Sequence, residues 1–95
     1  MLFVMTCLDK PNHSHVRAEN REDHLGCLDA LGSALVTAGP ILSDDGETPE
    51  GSVLIVDFED REAAEGFATG DPYNKAGLFE RVEIRRWKQI FPKAG

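Results

Sequence analysis

The chain has 95 residues, room for one small domain built on a single core. A hydrophobic share of 41% against 28% charged is ordinary for a globular protein and argues against disorder. Ten basic against 17 acidic residues leave a net charge of -7, which phosphate backbones repel, so general nucleic-acid binding is excluded.

The first residues, LFVMTCL, are apolar in both phases of a strand: Leu2, Val4 and Leu8 on one side, Phe3, Met5 and Cys7 on the other. That predicts a strand over 2–8 buried on two faces. The run is too short for a membrane span of roughly 20 apolar residues, and no other segment approaches one. It also lacks the basic start and cleavage pattern of a signal peptide, so a cytoplasmic protein with no membrane partner is expected. Cys7 and Cys27 show no CxxC spacing and are expected as reduced, buried thiols.

DKPNHSH breaks the strand pattern and leads into a helix, with Ser14 as a candidate N-cap. The spacing predicts one long helix over 17–40, ending at Gly39 because Pro40 cannot continue it. Its apolar stripe is Leu28, Leu31 and Leu35, and the same line runs back through His24, Arg21 and Arg17. PILSD is a short second strand, and DDGETPEG has the composition of a hairpin loop. Residues 52–58 form a third strand, again apolar in both phases. Asp60 is placed to N-cap a shorter helix that buries Ala63, Ala64 and Phe67. GDPYNKAG is a break, and the stretch 79–91 predicts a last strand, edge-like, with Val82 and Ile84 facing inward and charges between.

The order βαββαβ points to a ferredoxin-like α+β fold, a four-stranded antiparallel sheet with two helices on one face. Two helices cover only one face, yet strands one and three are apolar on both. An exposed patch of that kind calls for a cover, most simply a second copy in a two-fold homodimer through the open sheet face.

The polar end of the helix stripe is the unusual feature. Burying two guanidinium groups unpaired would cost several kcal/mol. Arg17 and Arg21 must therefore meet solvent, an acid such as Glu19, Glu22 or a loop carboxylate, or an anionic ligand. In the proposed topology the start of this helix, the hairpin and GDPYNKAG share one end of the sheet, which brings Asp71 and Tyr73 toward His24. A carboxylate beside an imidazole sets which ring nitrogen carries the proton and readies the other for acid–base chemistry. Other constellations are weaker. His13 and His15 in NHSH could reach a metal but lack a third ligand, the acidic hairpin does not match a calcium loop, and no phosphate-loop pattern occurs.

Taken together, R-x6-HL followed by G-x6-GP (Arg17, His24, Leu25, Gly32, Gly39, Pro40), the pair Gly51-Ser52, DP-x4-GL (Asp71, Pro72, Gly77, Leu78) and the closing Trp87 resemble the YciI-like, or YCII-related, family over nearly all 95 residues. The resemblance implies a single domain over 1–95, a small dimer similar in architecture to muconolactone isomerase, and a dimeric α+β barrel-like assembly. It also implies a pocket with His24 and Asp71 as catalytic candidates. One branch is similar to enzymes that eliminate halide from chlorinated hydroxyquinols. The function expected is acid–base chemistry on a small anionic or hydroxylated ring compound, with Arg17, Arg21, Tyr73 and Ser52 binding substrate. No cofactor is implied. A non-catalytic dimer that binds an anionic metabolite, or serves as an accessory domain, is the alternative.

Overall fold

The computed structural model describes residues 1–93. Strand β1 (Leu2–Asp9) seals Phe3, Met5 and Cys7 on one face, while Leu2, Val4 and Thr6 on the other are half-buried. Helix α1 spans Ser14–Ala30. Its cap position is His13, with no side-chain cap bond, and Ser14 is already helical. Asn12, at φ 61°, makes the reversal after Pro11 that starts the helix earlier than expected.

The helix also ends earlier. Gly32 takes φ 56°, a left-handed conformation suited to glycine, and a 3-10 turn (Gly32–Ala34) follows. Gly39 and Pro40, expected to end the helix, lie instead inside strand β2 (Leu35–Leu42). That strand is an edge, so one side of its backbone has no ladder to satisfy and the missing N–H of Pro40 is tolerated. The β-branched pair Val36 and Thr37 favours the extended chain. Leu31 and Leu35 still pack on the core, but from the turn and the strand. Their burial was correctly signalled, and their period was not.

Strand β3 (Pro49–Asp57) begins three residues before the expected 52. Its Gly51 is obligatory in size, because a Cβ there would overlap the carbonyl oxygen of Cys7 on β1. Asp60 caps helix α2 (Arg61–Gly70), its carboxylate accepting from the Ala63 N–H at 2.8 Å. Ala64 and Ala68 are the buried residues of α2 and Phe67 is half-buried, whereas Ala63 is exposed, contrary to expectation. The turn GDPYNKAG holds an additional helix, α3 (Pro72–Lys75), with Asp71 as N-cap and Pro72 in its first turn. Strand β4 (Phe79–Arg86) stops five residues before 91, leaving Trp87 and Phe91 outside it, with Phe91 78% exposed. The reason is its partner: the Trp87 N–H reaches the carbonyl of Leu2, where β1 starts.

The sheet order is β2-β3-β1-β4, antiparallel at every pairing. This is the ferredoxin-like α+β fold, and β4 is an edge as the charges along it indicated. Phe3, Met5, Leu54 and Val56 from the sheet meet Leu28 of α1 and Ala64 and Ala68 of α2 in the main apolar cluster. Register sets what lies beyond it. Leu8 pairs with Gly51, Asp9 with Phe79 and Leu42 with Pro49, so the end of β1, the β2–β3 hairpin and the start of β4 share one end of the sheet. No helix among the described residues is long and apolar enough to cross a membrane.

Candidate functional site

The buried polar residues of the described chain are Arg17, His24, Ser52 and Asp71, each at most 8% exposed, and all lie at that same end. Arg17 and His24 stand two turns apart on α1, so one helix face delivers both. Ser52 comes from β3, beside Cys7 of β1. Asp71 sits where α2 gives way to α3, and its role as N-cap fixes its carboxylate: Oδ1 accepts the Tyr73 N–H at 2.9 Å.

The same Oδ1 lies 2.9 Å from His24 Nδ1. A carboxylate oxygen accepts, so Nδ1 is the donor, and in the neutral ring Nε2 keeps its lone pair. The Tyr73 ring lies flat on the imidazole, with centroids 3.9 Å apart and planes 13° apart. His24 is thus held at its edge by Asp71 and on its face by Tyr73. Nε2 makes no hydrogen bond among the described residues, yet no sealed side-chain nitrogen or oxygen there lacks one. Nε2 is therefore accessible, and His24 lines a cavity of about 460 Å³. Leu25, Leu28, Leu54 and Pro40 supply apolar wall, while Arg17, Arg21, His24 and Tyr73 supply polar groups. A mostly apolar hollow with a few convergent polar groups is the usual form of a small-molecule site.

Arg17 and Arg21 have different environments. Arg17 is buried and gripped by Asp9, its Nε donating to Oδ2 at 2.8 Å and Nη2 to Oδ1 at 2.7 Å, while Nη1 donates to the Ser52 hydroxyl at 3.2 Å. Its guanidinium carbon lies 4.8 Å from the Tyr73 ring centre. Burial alone would lower its pKa, but the hydrogen bonds and charge of Asp9, joined by Tyr73, outweigh that and raise it. Arg21 is exposed at the cavity rim. Burial pushes the Tyr73 phenol up from its ordinary value, against the opposing charges of Arg17 and Arg21, so it stays neutral and able to donate near pH 7. Burial, with the charges of Asp71 and Asp9, pushes the Cys7 thiol up to about 12. It is a packing residue beneath the site, with little nucleophilic character.

The structure therefore gathers His24, Arg17, Arg21, Tyr73 and Ser52 around one hollow, with Asp71 behind His24 and outside the lining. Asp9 was not foreseen as the partner of Arg17. Strand alternation places it on the same face as Cys7, which was the available signal, but a strand-end acid has many possible partners. Both cysteines are free, Cys7 buried and Cys27 only partly so. His13 bonds through Nδ1 with the Pro11 carbonyl at 2.7 Å, and no group of three or more metal-ligating side chains is gathered among the described residues.

Comparison with known proteins agrees with this architecture. The YCII-related domain matches residues 1–88. Protein YciI from Escherichia coli is 37% identical over 96% of this chain and 100% of its own length, and an uncharacterised Haemophilus influenzae protein matches to the same extent. A solved 5-chloro-2-hydroxyhydroquinone dehydrochlorinase (TftG) from Burkholderia phenoliruptrix, in complex with 2,5-dihydroxybenzoquinone, is 35% identical with a TM-score of 0.86, covering 93% of this chain and 94% of that one. A solved antibiotic biosynthesis monooxygenase, 11% identical at a TM-score of 0.57 over 95% and 99% of the two chains, shares the fold alone.

Proposed function

Because the chain belongs to the YCII-related family, we propose that it is a small-molecule enzyme that uses His24 as an acid–base group on a small hydroxylated or anionic ring. The observation that carries this is the accessible Nε2, opening on the cavity while Nδ1 is held by Asp71. Nε2 takes a hydroxyl proton of the ring compound and returns it to the halogen-bearing carbon, giving the keto tautomer, and loss of a second hydroxyl proton to Nε2 then expels halide from that carbon. The proton rests on His24 as imidazolium, balanced by Asp71, and later passes to water. Two O–H bonds and the C–X bond break, one C–H bond and two ring carbonyls form, one proton and one halide leave, and no oxidant or reductant is needed. Arg21 at the rim receives the anionic oxygen of the substrate, while Arg17, already paired with Asp9, shapes the floor with Ser52. The Tyr73 phenol donates to a ring oxygen. The likeness to a dehydrochlorinase of a chlorinated hydroxyhydroquinone supports elimination over other acid–base reactions.

The test is chloride release from 5-chloro-2-hydroxyhydroquinone by wild type and His24→Ala, above the spontaneous rate. Wild type is expected to release chloride, and the variant to be slower by roughly 10²–10⁴-fold. Equal rates in both proteins, or none in either, would overturn elimination. A ligand that raises the melting temperature of wild type without turnover would then mark the protein as a metabolite-binding module.

The same reading includes a homodimer. Val4, Thr6 and Leu8 of β1 share the helix-free face with Val53 and Ile55 of β3, and Leu8 is 40% exposed. A second copy packed on that face would bury it. Light scattering should return twice the chain mass, and Leu8→Glu should halve it. A wild-type monomer at micromolar concentration would sink the dimer.

A further inference from the structure

We propose that Asp9 is a positioning residue of this site: by gripping Arg17 it holds the Arg17–Tyr73–His24 stack in register and keeps His24 aimed into the cavity. The inference rests on the acid–base reading for its purpose, but its physical content can be tested without a substrate.

Three flat groups lie one on the next. The guanidinium carbon of Arg17 is 4.8 Å from the centre of Tyr73, and Tyr73 is 3.9 Å from the centre of His24. Such a stack has attraction but no intrinsic register, since flat groups slide over one another at little cost. Its outer members must be pinned. Asp71 pins His24 at one end. At the other, Asp9 binds Arg17 with two parallel hydrogen bonds of 2.8 and 2.7 Å, the bidentate geometry that orients a guanidinium plane as well as holding it. Asp9 is suited to this by position. It is the last residue of β1, and strand alternation sets it on the same face as Cys7, the face that α1 covers.

Charge gives the same residue a second duty. When His24 takes a proton it becomes a cation, with the Arg17 guanidinium against the same Tyr73 ring. An unneutralised guanidinium there would oppose proton uptake, and the Asp9 carboxylate cancels it. The charged or titratable groups around Tyr73 are Cys7 and Asp9 from β1, Arg17, Arg21 and His24 from α1, and Asp71 ahead of α3.

Tyr73 is the one tyrosine in the sequence, so its phenolate absorbance reports from the middle of the stack. Arg17→Gln removes the cation beside the phenol, so the Tyr73 midpoint should rise. Asp9→Glu keeps the carboxylate charge but changes its reach, so Arg17 leaves its place against the ring and the midpoint should rise there too. A role through charge alone leaves Asp9→Glu unchanged, and simple loosening would hydrate the phenol and lower the midpoint in both variants. If Asp9→Glu fails to fold, Arg17→Lys replaces it, which keeps the cation but cannot take the two-bond grip, and its midpoint should rise. An unchanged or lowered midpoint in any of these variants overturns the proposal. In the chloride assay, Asp9→Asn should lower kcat by up to about a hundredfold with KM little changed. Raised Tyr73 midpoints without chloride release from wild type would end the elimination reading and leave the role of Asp9 standing. Chloride release without those shifts would end the role of Asp9 alone.

Discussion

The two halves of the layer between sheet and helices are built on opposite terms. Toward one end lie Phe3, Met5, Leu28, Leu54, Val56, Ala64 and Ala68, an apolar cluster. Toward the other, Cys7, Tyr73, Leu78 and Phe79 make a smaller cluster beside Arg17, His24, Ser52 and Asp71. The same strands run through both. The first half stabilises the fold by burial of apolar surface. The second spends burial on charges that need partners, and each has one: Asp9 for Arg17 and Asp71 for His24. A buried ion pair is weak evidence of stability, since apolar residues of similar volume often do as well in its place. One such pair, Arg17–Asp9, beside a His24 bound to a buried carboxylate is better explained by chemistry than by folding.

If that contrast holds, a substitution in one half should leave the property of the other intact. Asp71→Asn is the sharpest case. Asparagine caps a helix about as well as aspartate, so stability should change by less than about 1 kcal/mol. The charge that balances the imidazolium is lost, and kcat for chloride release should fall roughly 10²–10⁴-fold. Phe3→Ala in the apolar half should do the reverse, costing about 3–5 kcal/mol in urea unfolding while the folded fraction keeps its kcat. Comparable losses of stability from both variants would erase the distinction.

Smaller effects probe the boundary. Gly51→Ala would force β3 away from the Cys7 carbonyl and should cost about 1–3 kcal/mol, read from the denaturation midpoint. Gly66→Ala is its counterpart: the site is open, the residue lies within α2, and stability should rise by roughly 0.5–1 kcal/mol. Cys7 contributes a pH dependence. Its folded thiol is held up to about 12 against an ordinary value of 9.0, so between these limits the unfolded chain has lost the proton and the folded chain retains it. Its contribution is complete below pH 9.0 and fades as pH rises toward about 12, a decline that Cys7→Ala should flatten. Ellman's reagent should label Cys27 in the native protein and Cys7 on unfolding.

Much of the fold was legible because its signals are local. The two-phase apolar runs marked the central strands β1 and β3, Asp60 marked a helix start through its own hydrogen bond to Ala63, and the charges of β4 marked an edge. The end of α1 was misplaced because Gly32 and Gly39 look alike as letters. Only the left-handed conformation of Gly32 and the edge position of β2 tell them apart. The helix α3 was missed although Asp71-Pro72 is a sound cap and first-turn pair, because four residues are too few to show a period.

For the site, the sequence by itself determined the chemical inventory and the helical spacing that puts Arg17, Arg21 and His24 on one face. It also determined that two arginines so placed must meet solvent, an acid or an anionic ligand, since an unpaired buried charge is too costly. That Arg21 met solvent, Arg17 met Asp9 and His24 met Asp71 was decided by tertiary structure. Asp9 and Asp71 are far apart in the chain and meet α1 only because register brings the end of β1 and the start of α3 to the same end of the sheet. The stacking of Tyr73 on His24 belongs to the same class. A contact between distant segments has no local propensity to announce it. Its geometry, and with it the nitrogen left facing the cavity, exists only once the chain has closed.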